Sequence, residues 1–503
     1  MGLILFIVGI IGWHLGMWGM FKKAGIEPWK ALIPFYNTWL IVEKCHIRKY
    51  WFWLQLIPIA GQFITIWITI IFVMHFKRFN MVHHTAAVLL PFIYFPYLGF
   101  SKNEKYYGSD VVKQYKKPGS REWIDAGVFA VVAATIIRTF VFEAYVIPTE
   151  SMEKTLLVND FLFVNKMSYG ARIPQTPLSF PFVHNTMPFS LTTPSYLKWI
   201  QLPYKRLPAF TEVKRNDVVV FNFPAGDTII NLPEFGSKTT YYDVLRFTFK
   251  GNRQELMASP EYPIIVHPMD KTDNYIKRCV GVGGDVLQIR NGELFVNGNP
   301  AEVPGGSQTE YIVVTNKQPY DPDFLKEELG IDVSTDTKGQ LYMLSDSSYK
   351  FNLTPDELEK LKKLPNFVSA TRAIENYAGM TFPNDEANYP WSIDNFGPIR
   401  IPKKGDVIEL NNQNISIYRR LIATYEHNTL EEKEGKFFIN GQATNTYTVK
   451  LNYYWMMGDN RHRSQDSRYW GFVPETHIVG KASLIWFSWD KGPRWKRIMR
   501  SIK

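Results

Sequence analysis

Cysteine is nearly absent: Cys45 and Cys279 are the only two in 503 residues. Cys45 lies among apolar segments and Cys279 in a strand-like run. An intramolecular disulfide is not expected, and no metal-ligand spacing is present. The ten histidines contain no HExxH arrangement, and the His83-His84 pair reads as interfacial rather than as a ligand pair. No internal repeat or low-complexity tract stands out. The first apolar run lacks a basic leading region and a small-residue cleavage site, so it reads as a retained helix rather than a removable leader.

Apolar residues make up 46% of the chain, and the long runs crowd into its first 150 positions. That is the layout of a membrane anchor followed by a folded domain. Four spans are expected, at 3–21, 51–76, 86–100 and 124–146; the third is short and broken by Pro91 and Pro96. The net charge is +10. Nucleic-acid binding is one reading of a basic chain, but many of the charges flank apolar segments, so orientation in a lipid bilayer explains them better. Lys22, Lys23, Lys30, Lys44, Arg48 and Lys49 separate the first two spans. Lys102, Lys105, Lys113, Lys116, Lys117 and Arg121 precede the fourth. Excess positive charge stays cytoplasmic, so both chain ends are expected outside the cytoplasm. If the third span is re-entrant, the first must reverse. Arg138 inside span four is expected to snorkel outward or to pair with Glu143.

Beyond Thr149 the pattern is mainly β. Residues 217–223 (DVVVFNF) read as a buried strand. Residues 286–297 alternate around Asn291-Gly292, a two-residue hairpin signal that recurs at Asn440-Gly441. Residues 451–457 form an aromatic strand. One helix is expected at 354–364, with Thr354 as N-cap and Pro355 at its first position.

The chemistry sits in three runs: IPTESMEKTL at 147–156, YIKRCVGVGGD at 275–285 and MMGDNRHRSQDSRYWGFVP at 456–474. With KRNDVVVFNFP at 214–224, they resemble, in order, the sequence boxes of bacterial type I signal peptidase, a membrane-bound Ser/Lys protease. The resemblance implies a β pseudo-barrel catalytic core with a smaller inserted domain, behind an α-helical membrane module. It makes Ser151 the nucleophile and Lys277 the general base. Ser151 N–H and Thr149 would form the oxyanion hole, and Ser464 would orient the lysine amine. Arg278 would pair with an acid such as Asp459, and Asp466 with Arg468. No metal or organic cofactor is implied. The substrates would be the signal peptides of secretory preproteins, cut after a small residue at the surface of the bacterial inner membrane, on its periplasmic side. Association with the export machinery is left open. The run 22–39 also resembles a small integral-membrane module sometimes fused to such enzymes.

A serine nucleophile needs a neighbouring base, and lysine serves only as the neutral amine, which burial favours. Strand alternation puts Lys277 and Arg278 on opposite faces. Ser151 and Lys154 also match the S-x-x-K motif of penicillin-binding proteins, but the KTG element that should accompany it is missing. Lys154, where the resemblance calls for proline, is expected to be solvated. Glu150 also departs from the pattern; it and Glu153 are expected to face solvent, since carboxylates beside Lys277 would raise its pKa. An inactive binding relative and a small channel are the rival readings.

The layout expected is a membrane module with about three spans at 1–100, a basic cytoplasmic linker at 101–123, an anchor at 124–146, a peptidase domain at 147–490 and a basic tail at 491–503. Insertions are expected near 173–210 and 302–402, either shaping substrate access or decorating the fold. Trp486, Trp489 and Trp495, with basic neighbours, suit a membrane interface, and an ordinary hydrophobic core explains some of them equally well.

Overall fold

The structure is a computed structural model that describes every residue except 1, 117, 189, 191–192, 225–228, 231–238, 333–339 and 434. Lys117 of the linker and parts of both expected insertions therefore lie outside the described residues. The chain divides into two units, Met1–Thr139 with Pro174–Pro203, and Phe140–Ile173 with Tyr204–Lys503.

The first unit is helical. α1 (Gly2–Lys23) covers the first expected span. It is followed by α2 (Tyr36–Lys44), α3 (Ala60–Met74), α4 (Met81–Leu89), α5 (Pro91–Phe100) and α6 (Gly119–Phe140). α1 and α5 approach so closely that a Cβ on Gly19 would lie 2.7 Å from Gly99 Cα. Only glycine permits that backbone contact.

Two expected spans, 51–76 and 124–146, are corrected, and the break expected in 86–100 falls between α4 and α5. In 51–76 the helix is interrupted before α3, where Ile59 takes φ 65° after Pro58. The 15 residues of α3 reach about 22 Å, short of a hydrocarbon core of about 30 Å. In 86–100, α4 and α5 meet at a bend of 118°. Leu90 is non-helical there (φ −130°, ψ 44°) and Pro91 opens α5, as expected of a residue before proline. In 124–146 the helix ends at Phe140, and residues Phe142–Val146 are a strand. Among the described residues, Arg121–Phe140 is the one unbent helix long and apolar enough to cross a membrane. Glu143, on the strand, pairs with Lys166 at 2.8 Å, and the Arg138 guanidinium lies over the Phe182 ring.

The second unit is mainly β. Its largest sheet comprises β1 (Phe142–Val146), β2 (Asp160–Asn165), β3 (Val218–Asn222), β4 (Asn274–Val282), β5 (Tyr453–Met457), β6 (Val473–Pro474), β7 (Ile478–Ser488) and β8 (Arg500–Ser501). The order is β1-β2-β7-β3-β4-β5-β6, with β8 on β7. The pairings are antiparallel. β3 is buried on both faces. Val219 and Phe221 join a core with Cys279 and Trp470, while Val218 and Val220 pack with Met152 and Leu162 on the other side. This is the period-two division of a strand covered on both faces. The Asn-Gly pairs at 291–292 and 440–441 turn hairpins with positive φ at each residue, as a type I′ turn requires.

Within the second expected insertion, four strands form a separate sheet in the order Leu341–Ser345, Ser348–Leu353, Thr309–Thr315, Phe367–Arg372. Helix α7 (Pro355–Leu361) follows the second of these, and Thr354 and Glu357 complete its capping box. The first insertion is divided: 174–203 belongs to the helical unit, where Pro177 O accepts the Ile59 N–H at 2.9 Å. The expected tail is part of the fold, because Arg497 pairs with buried Asp160 at 2.5 Å and β8 adds to β7. Of the three tryptophans, Trp486 stacks on Phe163, whereas Trp489 and Trp495 are exposed.

Candidate active site

Extended backbone after β1 leads into a single 3₁₀ turn, Glu150–Met152, that carries Ser151. The turn is tied down locally. Ile147 N–H donates to Asp160 O and Asn159 N–H to Ile147 O, both at 2.9 Å, and the Met152 side chain is fully buried. Ser151 is itself only 7% exposed. Its Oγ lies 3.4 Å from Thr149 Oγ1.

Lys277 is central in β4, opposite Val219 of β3. Its ammonium nitrogen donates to Ser151 Oγ at 2.6 Å and to Ile276 O at 3.2 Å. Burial pulls its pKa down to about 8, against the opposing pull of Asp466 and Asp459. An amine in this condition is neutral in a large fraction of molecules near pH 8, as a general base must be.

Arg278, the next residue, is also buried and turns to Asp459. Its Nε and Nη2 reach the two carboxylate oxygens at 2.8 and 2.7 Å. Asp459 Oδ2 also accepts from Thr155 Oγ1 at 2.6 Å. Next to it, Asn460 N–H donates to Ser151 O at 3.1 Å and its side-chain amide to Glu150 O at 3.2 Å. The Gly458-Asp459-Asn460 loop therefore holds the nucleophile turn from one side and β4 from the other. Asp466 and Arg468 form a bidentate pair, both contacts 2.9 Å. Burial pushes the Asp466 carboxyl up, but the Arg468 guanidinium outweighs it and holds the carboxyl below its usual range. Ser464 is buried and its hydroxyl lies against the Asp466 carboxyl, which it helps to hold below its usual range; among the described residues no hydrogen bond joins it to Lys277.

Three surface expectations are corrected. Lys154 is only partly solvated: its ammonium pairs with the nearly buried Glu357 at 2.7 Å and donates to Gly330 O at 2.8 Å. Glu150 is partly buried and lies 3.6 Å from Arg463. Glu153 is partly buried too, and desolvation followed by the Glu150 charge raises its pKa. Lys154 is screened by Glu357 and Gly330 of the inserted domain and Glu150 by Arg463, so these side chains are only partly open to water. Neither glutamate is among the charges that act on Lys277. Cys279 is buried and burial pushes its thiol up, which makes it unreactive.

Sequence reasoning missed Asn460, Thr155 and Glu357. Asn460 stood in a quoted motif without a role. Glu357 was visible only as the third residue of a capped helix.

The profile of the family described as "Signal peptidase, peptidase S26" matches residues 120–350 and 400–489, and a family of unknown function (DUF5684) matches residues 29–109. Signal peptidase I of Haemophilus influenzae is 27% identical over 389 residues, 75% of each chain. Signal peptidase I of Buchnera aphidicola subsp. Baizongia pistaciae is 25% identical over 370 residues, 72% of this chain and 77% of that one. Signal peptidase I of Aquifex aeolicus shares 57% identity over 42 residues, 8% of this chain and 16% of its own. With the S26 profile covering well over half of its length, and that cover including both Ser151 and Lys277, the chain belongs to the signal peptidase family, peptidase S26.

Proposed function

We propose that Ser151 is the nucleophile and Lys277 the general base of the signal peptidase I reaction, the hydrolysis of the peptide bond that joins a signal peptide to an exported protein. One observation carries the assignment: a buried lysine with a depressed pKa hydrogen-bonds the only hydroxyl on the tightly held turn 150–152. The neutral amine takes the Ser151 proton as Oγ attacks the scissile carbonyl. The negative charge that develops on the carbonyl oxygen is met by Ser151 N–H and the Thr149 hydroxyl. Lys277, now ammonium, protonates the leaving amine. Water then hydrolyses the acyl-enzyme with Lys277 again as base. Arg278–Asp459 and Asp466–Arg468 hold the surrounding loops. By resemblance to the family, small side chains are selected at the −1 and −3 positions.

α6 serves as the membrane anchor in this reading. Basic residues crowd the segment that leads into it, from Lys102 to Arg121 in its first turn, so its start faces the cytoplasm and the chain leaves it on the outer side. The peptidase unit then lies where preproteins emerge.

The test is cleavage of a preprotein by the detergent-solubilised full chain. Ser151→Ala and Lys277→Ala should abolish processing, while Lys154→Ala retains a measurable rate. Activity that survives Lys277→Ala but disappears in Lys154→Ala would transfer the role of base to Lys154.

A further inference from the structure

Lys154 stands three residues after Ser151 with φ 65°, in the left-handed region that residues other than glycine seldom adopt. Something outside the turn must hold it there, and its side chain shows what. The ammonium lies against Glu357 Oε1 at 2.7 Å and Gly330 O at 2.8 Å. Glu357 is 6% exposed, and its second oxygen accepts the Thr354 N–H at 2.8 Å in the capping box of α7. Both oxygens of this carboxylate are thus committed, which fixes it as a rigid anchor. A second link runs parallel to the first. Asn352, at the end of the strand before α7, donates to Asn460 Oδ1 at 3.0 Å, and Asn460 in turn binds the carbonyls of Glu150 and Ser151.

We propose that Lys154 and Glu357 are a positioning pair through which the inserted four-stranded sheet and α7 hold the turn that carries Ser151. The inference rests on Ser151 as nucleophile. The inserted sheet is then part of the catalytic apparatus, not decoration. Glu357 on α7 reaches the chain just after the turn through Lys154, and Asn352 on the sheet reaches the turn itself through Asn460. The chemistry is unchanged by the pair; what it sets is the distance and orientation of Ser151 Oγ relative to Lys277 Nζ. Small displacements of a reacting atom are costly, of the order of 10²-fold for about 1 Å.

The experiment compares the full chain with Lys154→Met, Lys154→Arg, Lys154→Gly, Glu357→Gln and Ser151→Ala on one preprotein in detergent, with rates referred to the folded fraction. Glu357→Gln keeps the capping box, because glutamine serves at that helical position, so α7 remains folded. Lys154→Gly relieves the left-handed backbone but removes the ammonium. Lys154→Met, Lys154→Gly and Glu357→Gln should each lower kcat about ten- to a hundredfold with KM little changed. The midpoint of the pH profile should stay near that of the wild type, and Lys154→Arg should recover most of the rate. Lys360→Ala, which removes an exposed ion pair on the same helix, should leave the rate as it is. Unchanged kcat in Lys154→Met or in Glu357→Gln overturns the proposal. So does a fall confined to the Lys154 variants, which would make that residue act alone. If Ser151→Ala itself processes the preprotein, the nucleophile assignment has failed and there is nothing for the pair to position.

Discussion

Lys277 Nζ lies 2.6 Å from Ser151 Oγ, and among the described residues no carboxylate hydrogen-bonds to that nitrogen. The acids that act on it, Asp466 and Asp459, do so through space. This spacing separates a catalytic lysine from a structural one. A direct carboxylate partner would hold the amine charged, whereas burial beside a hydroxyl frees it.

The first consequence is a pH profile. With Lys277 near 8, the reactive neutral amine is the minor form at lower pH and the major form above. kcat/KM should rise about tenfold per pH unit well below the midpoint and level off above it. A pH–rate series from 6 to 10 on a single preprotein checks this. A flat profile across that range would remove Lys277 as the titrating base.

The second concerns stability. The folded-state pKa of Lys277 is depressed, from an ordinary value of 10.5 to about 8. The folded state therefore prefers the neutral amine. The stability tied to that preference is complete above 10.5 and is lost as pH falls through about 8. Below the midpoint the fold carries a buried ammonium at a cost of about 3 kcal/mol. Lys277→Met should abolish activity yet raise the melting temperature at pH 6–7, and the gain should shrink towards pH 10. Thermal melts at several pH values read it directly, and a variant less stable than wild type at pH 6 would contradict the account.

Gly458 provides a third. A Cβ at this position would lie 2.2 Å from Ser464 Oγ and 2.5 Å from Ser151 O. Real side chains do not tolerate such contacts, so Gly458→Ala must push the loop away from the nucleophile turn. Because Asn460 and Asp459 on that loop hold Ser151 and Arg278, kcat should drop by about 10²-fold. The catalytic unit should still melt cooperatively. Full activity in Gly458→Ala would show that the loop yields without moving Ser151.

Much of the site was legible because its parts lie in short runs. Ser151 with Thr149, and Lys277 with Arg278, each occupy a few neighbouring positions whose spacing is set by one turn or one strand. The strand at 217–223 and the Asn-Gly hairpins were legible because period-two burial and positive-φ turns depend on local sequence. What escaped notice depends on tertiary packing. Lys154 has the composition of a surface residue and is anchored only because α7 brings Glu357 to it from 203 residues further on. The apolar runs at 51–76 and 86–100 have the content of full spans, but Pro58 and Pro91 decide where their helices break. The strand at Phe142–Val146 reads as the end of a membrane helix until its pairing with β2 is seen.

The last prediction uses the ion pair Asp466–Arg468, whose members are 0% and 1% exposed. Removing either one leaves a buried charge without its partner, which costs about 3–5 kcal/mol. Asp466→Asn and Arg468→Met should each lower the melting temperature markedly. The double variant should recover part of the loss, since it leaves neither charge unpaired. The two charges also act on Lys277 with opposite sign, Asp466 raising its pKa and Arg468 lowering it. Asp466→Asn should therefore move the midpoint of the pH–rate profile below that of the wild type, and Arg468→Met should move it above. The double variant should fall between them. A purely structural pair would lower stability in both single variants and shift the midpoint in neither, so pH–rate profiles measured well below each variant's melting temperature distinguish the two roles.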